Sequence, residues 1–288
     1  MASGRTGLRA NPVVRAVIQS APYLFVRRVL RSRRRSRYFE SSTDFWLADA
    51  LRRPGIRSYR DREHGFTFYL RHDCDDAFIF DEIFGWLSRY EPPPEVTDLL
   101  ASRGGSVSVT DVGANIGLFG LWCEAHWSVQ SLTAIEADPE NSEILRRVVQ
   151  ANDLQQRWTV VEGFASTADG VVSFLSGRSS RSRAAASGEP GNPTPTLDLF
   201  RHLPGSSILK MDVEGAEWAI LEDPRFSGHD VPVLVVEFHG QGAPSADPAG
   251  SVEDLLERAG YATSITPHDV SDDPFEGQGV VWAWKPAS

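Results

Sequence analysis

The stretch TDVGANIGLFGLW, from Thr110 to Trp122, decides the fold of this chain of 288 residues. In this stretch, a short run that contains Asp111 is followed by a turn with two glycines and then by an apolar run. A nicotinamide-binding loop of the form G-x-G-x-x-G would need glycine at positions 113, 115 and 118, but the chain has Gly113, Asn115 and Leu118. The pattern is instead D-x-G-x-N-x-G, which predicts a strand, a tight turn and a helix that bind a different ligand.

The composition predicts one large α/β core, or such a core with a small satellite. Hydrophobic residues make up 41% of the chain and charged residues 24%. The two cysteines, Cys74 and Cys123, lie far apart and form no C-x-x-C motif. Neither a disulfide framework nor a cysteine-built metal site is therefore indicated, and a reducing, cytoplasmic location is predicted.

The N-terminal segment is basic, whereas the remainder of the chain is acidic. Ten arginines and no acid precede Glu40, so the net charge of -10 leaves about -20 for the rest. We therefore expect no nucleic-acid partner for the main body. Arg15, Gln19, Pro22 and Arg27 interrupt the apolar residues of the segment, which is too broken to span a membrane. A helical arm or frayed terminus is predicted, and weak contact with an anionic membrane or an acidic partner is the alternative.

Downstream of this arm, apolar runs alternate with helical patterns, which predicts a mostly parallel sheet with helices on both faces. The predicted strands cover residues 106–112, 131–137, 158–164, 171–175, 206–213, 231–238, 261–267 and 280–285. The predicted helices cover residues 115–127, 139–151, 214–222 and 251–259. Residues Ser176 to Pro193 lack periodicity and are rich in Ser, Gly and Pro, so a mobile loop is predicted there, with a lid as one interpretation.

Two polar signals follow consecutive predicted strands. Gly113 and Gly117 would let the backbone approach a ligand more closely than any Cβ permits, and the next helix presents free N–H groups at its start. Asp111 is placed to bind a ligand's ammonium group directly or through water. Glu136 lies about 20 residues beyond the loop, at the end of a strand, where an acid bonds ribose hydroxyls. Together these signals predict a site for a cofactor that contains a ribose.

Four motifs, TDVGANIG, IEADPEN, LKMDVEGAEWAILE and VVEFHG, resemble in order and spacing the FkbM family of S-adenosylmethionine-dependent methyltransferases. The segment FTFYLRHDCDDAFIFDEIF resembles the family's lead-in segment, in which an arginine and an acid, here Arg71 and Asp76, precede an apolar helix. The resemblance runs from about Phe66 to Lys285 and leaves the arginine-rich arm unexplained. It implies transfer of a methyl group from S-adenosyl-L-methionine to a hydroxyl of a natural product, sugar or glycolipid.

The resemblance also implies a fold and a division of the chain. The fold is α/β, the class I methyltransferase version of the Rossmann-like fold, with a seven-stranded mostly parallel sheet whose last strand inserts antiparallel. We expect an arginine-rich extension and helical region over residues 1–65 and a methyltransferase domain over residues 66–288. The predicted cofactor-binding residues are Asp111, Gly113, Asn115, Gly117, Glu136 and Phe164.

A second set of ionisable residues is predicted to converge at the carboxyl edge of the sheet. The set consists of Lys210, Asp212, Glu214, Glu217, Glu237 and His239. Lys210 and Asp212 lie two residues apart on a strand, so their side chains share one face. A lysine in an apolar strand needs an acidic partner, for which Asp212 and Glu237 are the candidates.

Methyl transfer to oxygen needs a base, because the acceptor's proton must leave as the C–O bond forms. The predicted catalytic residues are Lys210, Asp212, Glu214, Glu237 and His239. His239 or Asp212 is the predicted proton acceptor, and Lys210 orients the carboxylates. For Glu214 and Glu217, stabilisation of a helix N-terminus is the alternative. No metal is expected in this interpretation.

Two further functions stay open at this point. Asp212, Glu237 and His239 could act as ligands of a divalent cation that assists the same reaction. The chain could also be a catalytically silent protein that binds the cofactor or a partner. The motif RHDCDD, residues 71–76, has adjacent acids without a regular ligand spacing, which favours a solvated turn or substrate-entry loop over a metal site.

Overall fold

The computed structural model describes residues 20–177, 182–185, 189–267 and 277–286. Its helices are α1 (Ala21–Arg35), α2 (Ser42–Ala50), α3 (Asp76–Ile83), α4 (Pro94–Ser102), α5 (Leu118–His126), α6 (Pro139–Ala151), α7 (Glu217–Leu221) and α8 (Pro248–Arg258). Its strands are β1 (Ile56–Arg60), β2 (Thr67–Arg71), β3 (Ser106–Val112), β4 (Ser128–Glu136), β5 (Trp158–Glu162), β6 (Phe164–Ser166), β7 (Gly170–Leu175), β8 (Arg183–Ala184), β9 (Asn192–Asp198), β10 (Ile208–Met211), β11 (Val233–Phe238), β12 (Ala262–Pro267) and β13 (Gly279–Trp284).

The main sheet has seven strands in the order β12-β13-β11-β10-β3-β4-β5. The strands from β11 to β5 run parallel to one another. Strand β13 lies between β11 and β12 and pairs antiparallel with both. This is the class I methyltransferase arrangement with its antiparallel inserted strand, so the predicted fold class is confirmed.

Both faces of this sheet are buried. In β11, Val233 and Val235 belong to one hydrophobic cluster, whereas Leu234 and Val236 belong to the cluster on the opposite face. A strand that is buried on both faces has apolar residues at successive positions, which explains the continuous apolar run in VPVLVVEF. The carboxyl ends of β3, β4, β10 and β11 therefore meet at one edge of the sheet, where ligands bind in open α/β folds.

Several predicted elements have the predicted bounds, and others differ for local reasons. Strand β3 and helix α6 begin and end where the sequence placed them. Helix α5 begins at Leu118 instead of residue 115, because Asn115 and Gly117 have positive φ angles of 50° and 85° that no helix accommodates. The strand predicted over residues 158–164 is divided, since β5 ends at Glu162 and β6 begins at Phe164 in another sheet.

A second, four-stranded sheet has the order β6-β9-β7-β8 and lies in the chain between β5 and β10. The sequence predicted a mobile loop over Ser176 to Pro193, and among the described residues this is wrong for 183–184 and 192–193, which belong to β8 and β9. Leu175 pairs with Arg183, and Ser173 pairs with Pro193. Residues 178–181 and 186–188 of the predicted loop lie outside the described residues. A run of Thr and Pro in β9 concealed this strand, because proline lowers β propensity.

The N-terminal region is tied to the rest of the chain by aromatic packing and a buried ion pair. Phe39 and Phe45 are fully buried and pack with rings of the β1-β2 hairpin and of α3. Arg35 at the end of α1 bonds Asp49 at 2.9 Å and Asp81 at 2.7 Å. The predicted domain boundary between residues 65 and 66 falls in the turn between β1 and β2. Among the described residues, none of the helices combines the length and apolar character that crossing a bilayer requires.

Candidate functional site

The turn after β3 is held by contacts within the protein. Gly113 and Gly117 have φ angles of 70° and 85°. A Cβ on Gly113 would lie 1.8 Å from the carbonyl oxygen of Asp212, and one on Gly117 would lie 2.6 Å from Leu145 Cδ1. The close approach at Gly113 is to the residue that follows β10, and the close approach at Gly117 is to α6. Gly113 also lines both cavities described below. Gly117 does not line either cavity described below.

A first cavity lies beside this turn, and we call it the cofactor cavity. It is lined by Gly113, Asn115, Ile135, Glu136, Ala137, Asn141, Gly163, Phe164, Ala165, Phe174, Ser182, Asp212, Val213 and Glu214. Four of the six predicted cofactor-binding residues belong to this lining, namely Gly113, Asn115, Glu136 and Phe164. The side-chain oxygen of Asn115 is buried there without a hydrogen-bond partner among the described residues. The cavity thus contains an acceptor group that a ligand could satisfy.

Glu136 is fixed by backbone donors at the end of β4. Its Oε2 accepts a hydrogen bond from the Asn115 N–H at 2.7 Å, and its Oε1 accepts one from the Asp138 N–H at 2.8 Å. Burial disfavours the charged carboxylate and, against these bonds, raises the pKa of Glu136 to about 7. The sequence therefore placed this acid in the cavity, and the structure adds that its charge changes near neutral pH.

Asp111 lies elsewhere than predicted. Its side chain is fully buried, and its Oδ1 lies 3.5 Å from Lys210 Nζ. Asp111 is absent from the lining of both cavities, so the structure does not support direct contact with a ligand's ammonium group, one of the two predicted modes. Asp111 is the register partner of Lys210 on the adjacent parallel strand, so the two side chains stand next to each other on the same face of the sheet.

Lys210 joins the two central strands to the glycine turn. Its Nζ donates to the Gly113 carbonyl at 2.7 Å and lies 3.5 Å from Asp212 Oδ2 as well as from Asp111. Burial alone would lower the pKa of Lys210, but the charges of Asp111 and Asp212 outweigh it and raise that pKa. Of the two partners predicted for this lysine, Asp212 forms the ion pair.

A second cavity of about 260 Å³ adjoins the first, and we call it the acceptor cavity. All five predicted catalytic residues line it, namely Lys210, Asp212, Glu214, Glu237 and His239. Phe78, Ile79, Ile83, Leu118 and Phe119 supply an apolar wall. Gly113, Asn115, Asp212 and Glu214 line both cavities. These four residues form the junction through which a group could pass from one cavity to the other.

His239 lies between two glutamates at the end of β11. Its Nδ1 is 3.1 Å from Glu217 Oε1, and its Nε2 is 3.5 Å from Glu214 Oε2. Burial lowers the pKa of an imidazole, but the bond to Glu217 and the charges of Glu217, Glu237 and Glu214 raise that of His239 to about 10. Glu217 is fully buried and also accepts the backbone N–H of His239 at 2.8 Å, so it orients the ring. Glu217 therefore does more than stabilise a helix N-terminus, which was the alternative function considered for it.

Two other carboxyl groups of the acceptor cavity, those of Glu214 and Glu237, have raised pKa values. Burial and the charge of Asp212 raise the pKa of Glu214 to about 8 and that of Glu237 to about 7. Tyr90 donates its hydroxyl to Glu237 Oε2 at 2.7 Å and lines the same cavity. The sequence analysis missed Tyr90, because it lies in a loop before α4 that carries no motif.

Arg71 and Asp76, the predicted lead-in pair, form a buried ion pair of 2.9 Å behind the cofactor cavity. Arg71 also donates to Asn141 Oδ1 at 2.8 Å, and Asn141 Nδ2 lies 3.5 Å from Glu136 Oε1. The pair therefore supports the acid of the cofactor cavity. The prediction of a solvated turn over residues 71–76 is wrong for His72, which is 2% exposed and bonds the Tyr59 hydroxyl at 2.8 Å.

The small sheet covers this site with three side chains. Phe174 and Ser182 line the cofactor cavity, and Ser182 donates to Asp138 Oδ2 at 2.8 Å. Arg183 lines the acceptor cavity and pairs with Glu189 at 3.0 Å. The segment that was predicted to be a loop thus contributes residues to both cavities.

Three side chains at the junction could hold a metal ion. One ligand atom from each of Asp212, Glu214 and His239 lies within 4.8 Å of the other two. Two ligands of one cation at about 2.1 Å are about 3.0 to 4.2 Å apart, so small side-chain movements would complete such a site. The ligand set weighed from the sequence contained Glu237 where this grouping has Glu214.

Comparison with known families places more than half of the chain in one group. The model of the methyltransferase FkbM domain matches residues 111–262. That range contains the glycine turn, the acid of β4 and the whole ionisable cluster. None of the curated protein sequences gives a significant match to this chain.

Solved structures resemble the chain at low sequence identity. Methyltransferase FkbM from Methylobacillus flagellatus is 16% identical, with a TM-score of 0.46, over 90% of this chain and 60% of that protein, which is therefore considerably longer. Precorrin-6y C5,15-methyltransferase from Geobacter metallireducens is 16% identical, with a TM-score of 0.39, over 63% of this chain and 81% of that one. TYW2 from M. jannaschii in complex with AdoMet is 11% identical, with a TM-score of 0.42, over 81% of this chain and 86% of that one.

Proposed function

Because the chain belongs to the FkbM family of methyltransferases, we propose that it methylates a hydroxyl group of a small-molecule, sugar or natural-product acceptor. Its cofactor is S-adenosyl-L-methionine. The observation that carries the proposal is the shared wall of the two cavities, formed by Gly113, Asn115, Asp212 and Glu214. A cofactor in one cavity and an acceptor in the other would meet only at this junction.

The residues of the cofactor cavity suit this cofactor. The unpartnered Asn115 oxygen can accept a hydrogen bond, and the Glu136 carboxylate can accept bonds from ribose hydroxyls. The ring of Phe164 lies in the same lining and offers an apolar surface to a base. When bound, the cofactor supplies an electrophilic methyl group on a sulfonium. Asp111 and Gly117 are left out of this assignment, since neither lines the cavity.

We assign the proton acceptor to Asp212 in preference to His239. With a pKa raised to about 10, His239 holds its proton at neutral pH and is a donor, not a base. Asp212 lies at the junction, paired with Lys210 at 3.5 Å. In the proposed step the acceptor's O–H bond would break and its proton would go to the Asp212 carboxylate, while the acceptor oxygen takes the methyl group and the methyl–sulfur bond of the sulfonium breaks to leave a neutral thioether. Lys210 is then a positioning residue that holds the carboxylate and the Gly113 carbonyl.

The test is turnover of S-adenosylmethionine with a panel of hydroxyl-bearing acceptors, followed by mass shift of the product. Asp212→Asn should lower turnover by about 10² to 10⁴ while cofactor affinity, measured by calorimetry, stays within a few-fold. Asp254→Asn, an exposed carboxylate of α8, is the matched control and should behave as the wild type. Full turnover by Asp212→Asn where chemistry limits the rate would refute the assignment, and products methylated only on nitrogen or carbon would refute O-methylation.

A second candidate function is favoured by the grouping of Asp212, Glu214 and His239. A divalent cation bound there would hold the acceptor oxygen and lower the pKa of its hydroxyl. Glu217 would act as the outer carboxylate that orients His239 through Nδ1. The cation would displace the proton on Nε2, so binding should release a proton.

Calorimetry with Mn²⁺ in two buffers of different ionisation enthalpy separates the two mechanisms. Proton release on Mn²⁺ binding that disappears in His239→Ala, together with activity lost to a chelator and restored by Mg²⁺ or Mn²⁺, would establish the metal mechanism. Unchanged activity in chelator would exclude it and leave Asp212 as the organic base. Glu222→Gln, a carboxylate just beyond α7, serves as the control for nonspecific binding.

A further inference from the structure

Helix α1 exposes an unusual set of apolar side chains. Tyr23, Leu24, Phe25, Val26 and Leu30 are between 40% and 64% exposed, whereas large side chains of this kind are otherwise buried in most of the described chain. Exposed apolar residues that are scattered need no explanation, but a contiguous group marks an interaction surface. The group lies on a segment that the catalytic assignment does not use.

Three of these residues form a stripe on the outer face of the helix. Tyr23, Val26 and Leu30 recur at intervals of three and four residues, which places them on one side of α1. On the opposite side, Ser32 and Arg35 of the second half of the helix are buried against the protein, whereas Leu24 and Phe25 of the first half are exposed. The stripe therefore points away from the body of the molecule.

Arginines flank the stripe. Besides the buried Arg35, α1 contains Arg27, Arg28, Arg31, Arg33 and Arg34, and the helix contains no acid. An amphipathic helix with large apolar residues on one face and arginines beside them lies in the plane of a membrane surface and is attracted by anionic lipids. The remainder of the chain, with a net charge of about -20, would be repelled by the same surface, so only the α1 side can face it.

An open groove of about 580 Å³ continues from the end of the stripe, and we call it the arginine groove. It is lined by Arg33, Ser36, Arg37, Ser42, Thr43, Trp46 and Arg62. Arg33 follows Leu30 by three residues, so groove and stripe are continuous along α1. Neither Arg33 nor Arg37 forms an ion pair with any of the described residues. Arginine guanidinium groups and the N-terminus of α2 at Ser42 together suit a phosphate group.

From these two features we propose that α1 docks this protein on an anionic phospholipid membrane. The stripe of Tyr23, Val26 and Leu30 enters the boundary between headgroups and acyl chains, and the arginine groove holds a lipid phosphate. Trp46, which donates to the Val29 carbonyl, lies in the groove lining with an amphipathic ring suited to that depth. The inference is independent of the proposed methyl transfer, because no residue of either cavity takes part.

The experiment is flotation of the full-length protein with phosphatidylcholine vesicles that contain or lack phosphatidylglycerol. We expect binding to the anionic vesicles at low salt, release at high salt, and little binding to phosphatidylcholine alone. The double variant Val26→Glu/Leu30→Glu should reduce binding at least tenfold, because it removes the apolar groups that enter the membrane. Arg33→Glu/Arg37→Glu should reduce binding similarly and remove the preference for phosphatidylglycerol.

Two controls match these changes elsewhere on the surface. Val171→Glu alters an exposed apolar residue of β7, and Arg103→Glu alters an exposed arginine after α4. Both should float as the wild type does. Equal binding of wild type and α1 variants, or equal binding to neutral and anionic vesicles, would overturn the proposal. A sedimentation coefficient that rises with protein concentration and falls in Val26→Glu/Leu30→Glu, without vesicle binding, would assign the stripe to a second copy of the chain instead.

Discussion

At the scale of single residues, we expect the ion pair of Asp111 and Lys210 to contribute more to the stability of the fold than to catalysis. Both side chains are buried, and the Asp111 oxygens have no hydrogen-bond partner among the described residues, so the nearby ammonium is what compensates their charge. We expect Lys210→Met to lower the free energy of unfolding by about 3 to 5 kcal/mol, because it leaves an uncompensated buried carboxylate. Urea denaturation at neutral pH measures this loss.

The double variant Asp111→Asn/Lys210→Met distinguishes charge compensation from packing. It removes both charges at once, so most of the lost stability should return. Asp212→Asn, whose side chain is partly exposed, should cost much less stability than Lys210→Met. A double variant as unstable as Lys210→Met would show that the lysine stem, and not its charge, supports this part of the sheet.

The carboxyl group of Glu136 predicts how cofactor binding depends on pH. Its pKa is raised to about 7, above the ordinary value for glutamate, so the neutral form dominates below that pH and the carboxylate above it. If the carboxylate accepts the ribose bonds, affinity for S-adenosylmethionine should rise about tenfold from pH 6 to pH 8. Glu136→Gln should bind more weakly, by on the order of 1.5 to 3 kcal/mol, and should lack this rise. Calorimetry at three pH values tests both, and an equal slope in wild type and variant would assign the titration to another group.

Residues that line the site were predictable from the sequence where they lie at or just after the end of a predicted strand. Glu136 and the five predicted catalytic residues of the acceptor cavity are of this kind. The direction of Asp111 was not predictable, because it depends on which strand lies beside β3, and strand order does not follow from periodicity. Tyr90 reaches Glu237 across 147 positions of the chain, a contact with no local signal. The raised pKa of His239, on which the choice of Asp212 as the proposed base rests, likewise arises from neighbours that only the folded chain brings together.

At the scale of elements, the glycine turn after β3 is specified by its approach to β10. Gly113→Ala should destabilise the protein strongly, since its Cβ would lie 1.8 Å from the Asp212 carbonyl oxygen. Gly104→Ala is the matched control, because Gly104 also has a positive φ, of 96°, but has no atom within 4 Å of its would-be Cβ. Backbone strain is common to both, so the difference in unfolding free energy, about 1 to 3 kcal/mol, measures the close approach alone. Equal losses would mean that the turn relaxes to accept the methyl group.

Elements that alternate regularly between strand and helix were predictable, whereas in the small sheet only β7 was predicted as a strand of its own. The main-sheet strands are apolar runs buried on both faces, and α6 begins at a proline after an aspartate that caps it. Strands β6 and β8 have only three and two residues, and β9 is partly exposed and contains Pro193 and Pro195, so these strands form by pairing with their neighbours and not from local propensity. The position of Ser182 and Arg183 at the two cavities follows from that pairing.

At the scale of the whole molecule, the question is whether the N-terminal region separates from the methyltransferase domain. The sequence suggests a helical arm packed on the domain or a frayed terminus, and removal of residues 1–38 is predicted to leave the methyltransferase core folded. In the structure, Arg35 is 7% exposed and bonds both Asp49 and Asp81, and the neighbouring Phe39 is fully buried. Composition identified the arm's charge correctly but could not show that one of its ten arginines is internal.

We therefore expect a chain that begins at Phe39 to be less stable than the full-length protein by about 3 to 5 kcal/mol, because Asp49 and Asp81 lose the guanidinium group that pairs with both. A chain that begins at Ala21 keeps Arg35 and should unfold at the same denaturant concentration as the full-length protein. Within the intact chain, Arg35→Ala should reproduce the loss, and Arg34→Ala, which removes an arginine stacked 4.9 Å from Trp86, should not. Urea denaturation of all four proteins decides the matter. If the chain from Phe39 is as stable as the full-length protein while Arg35→Ala is not, the two acids must find other partners once the helix is gone, and the region would then be a separable arm.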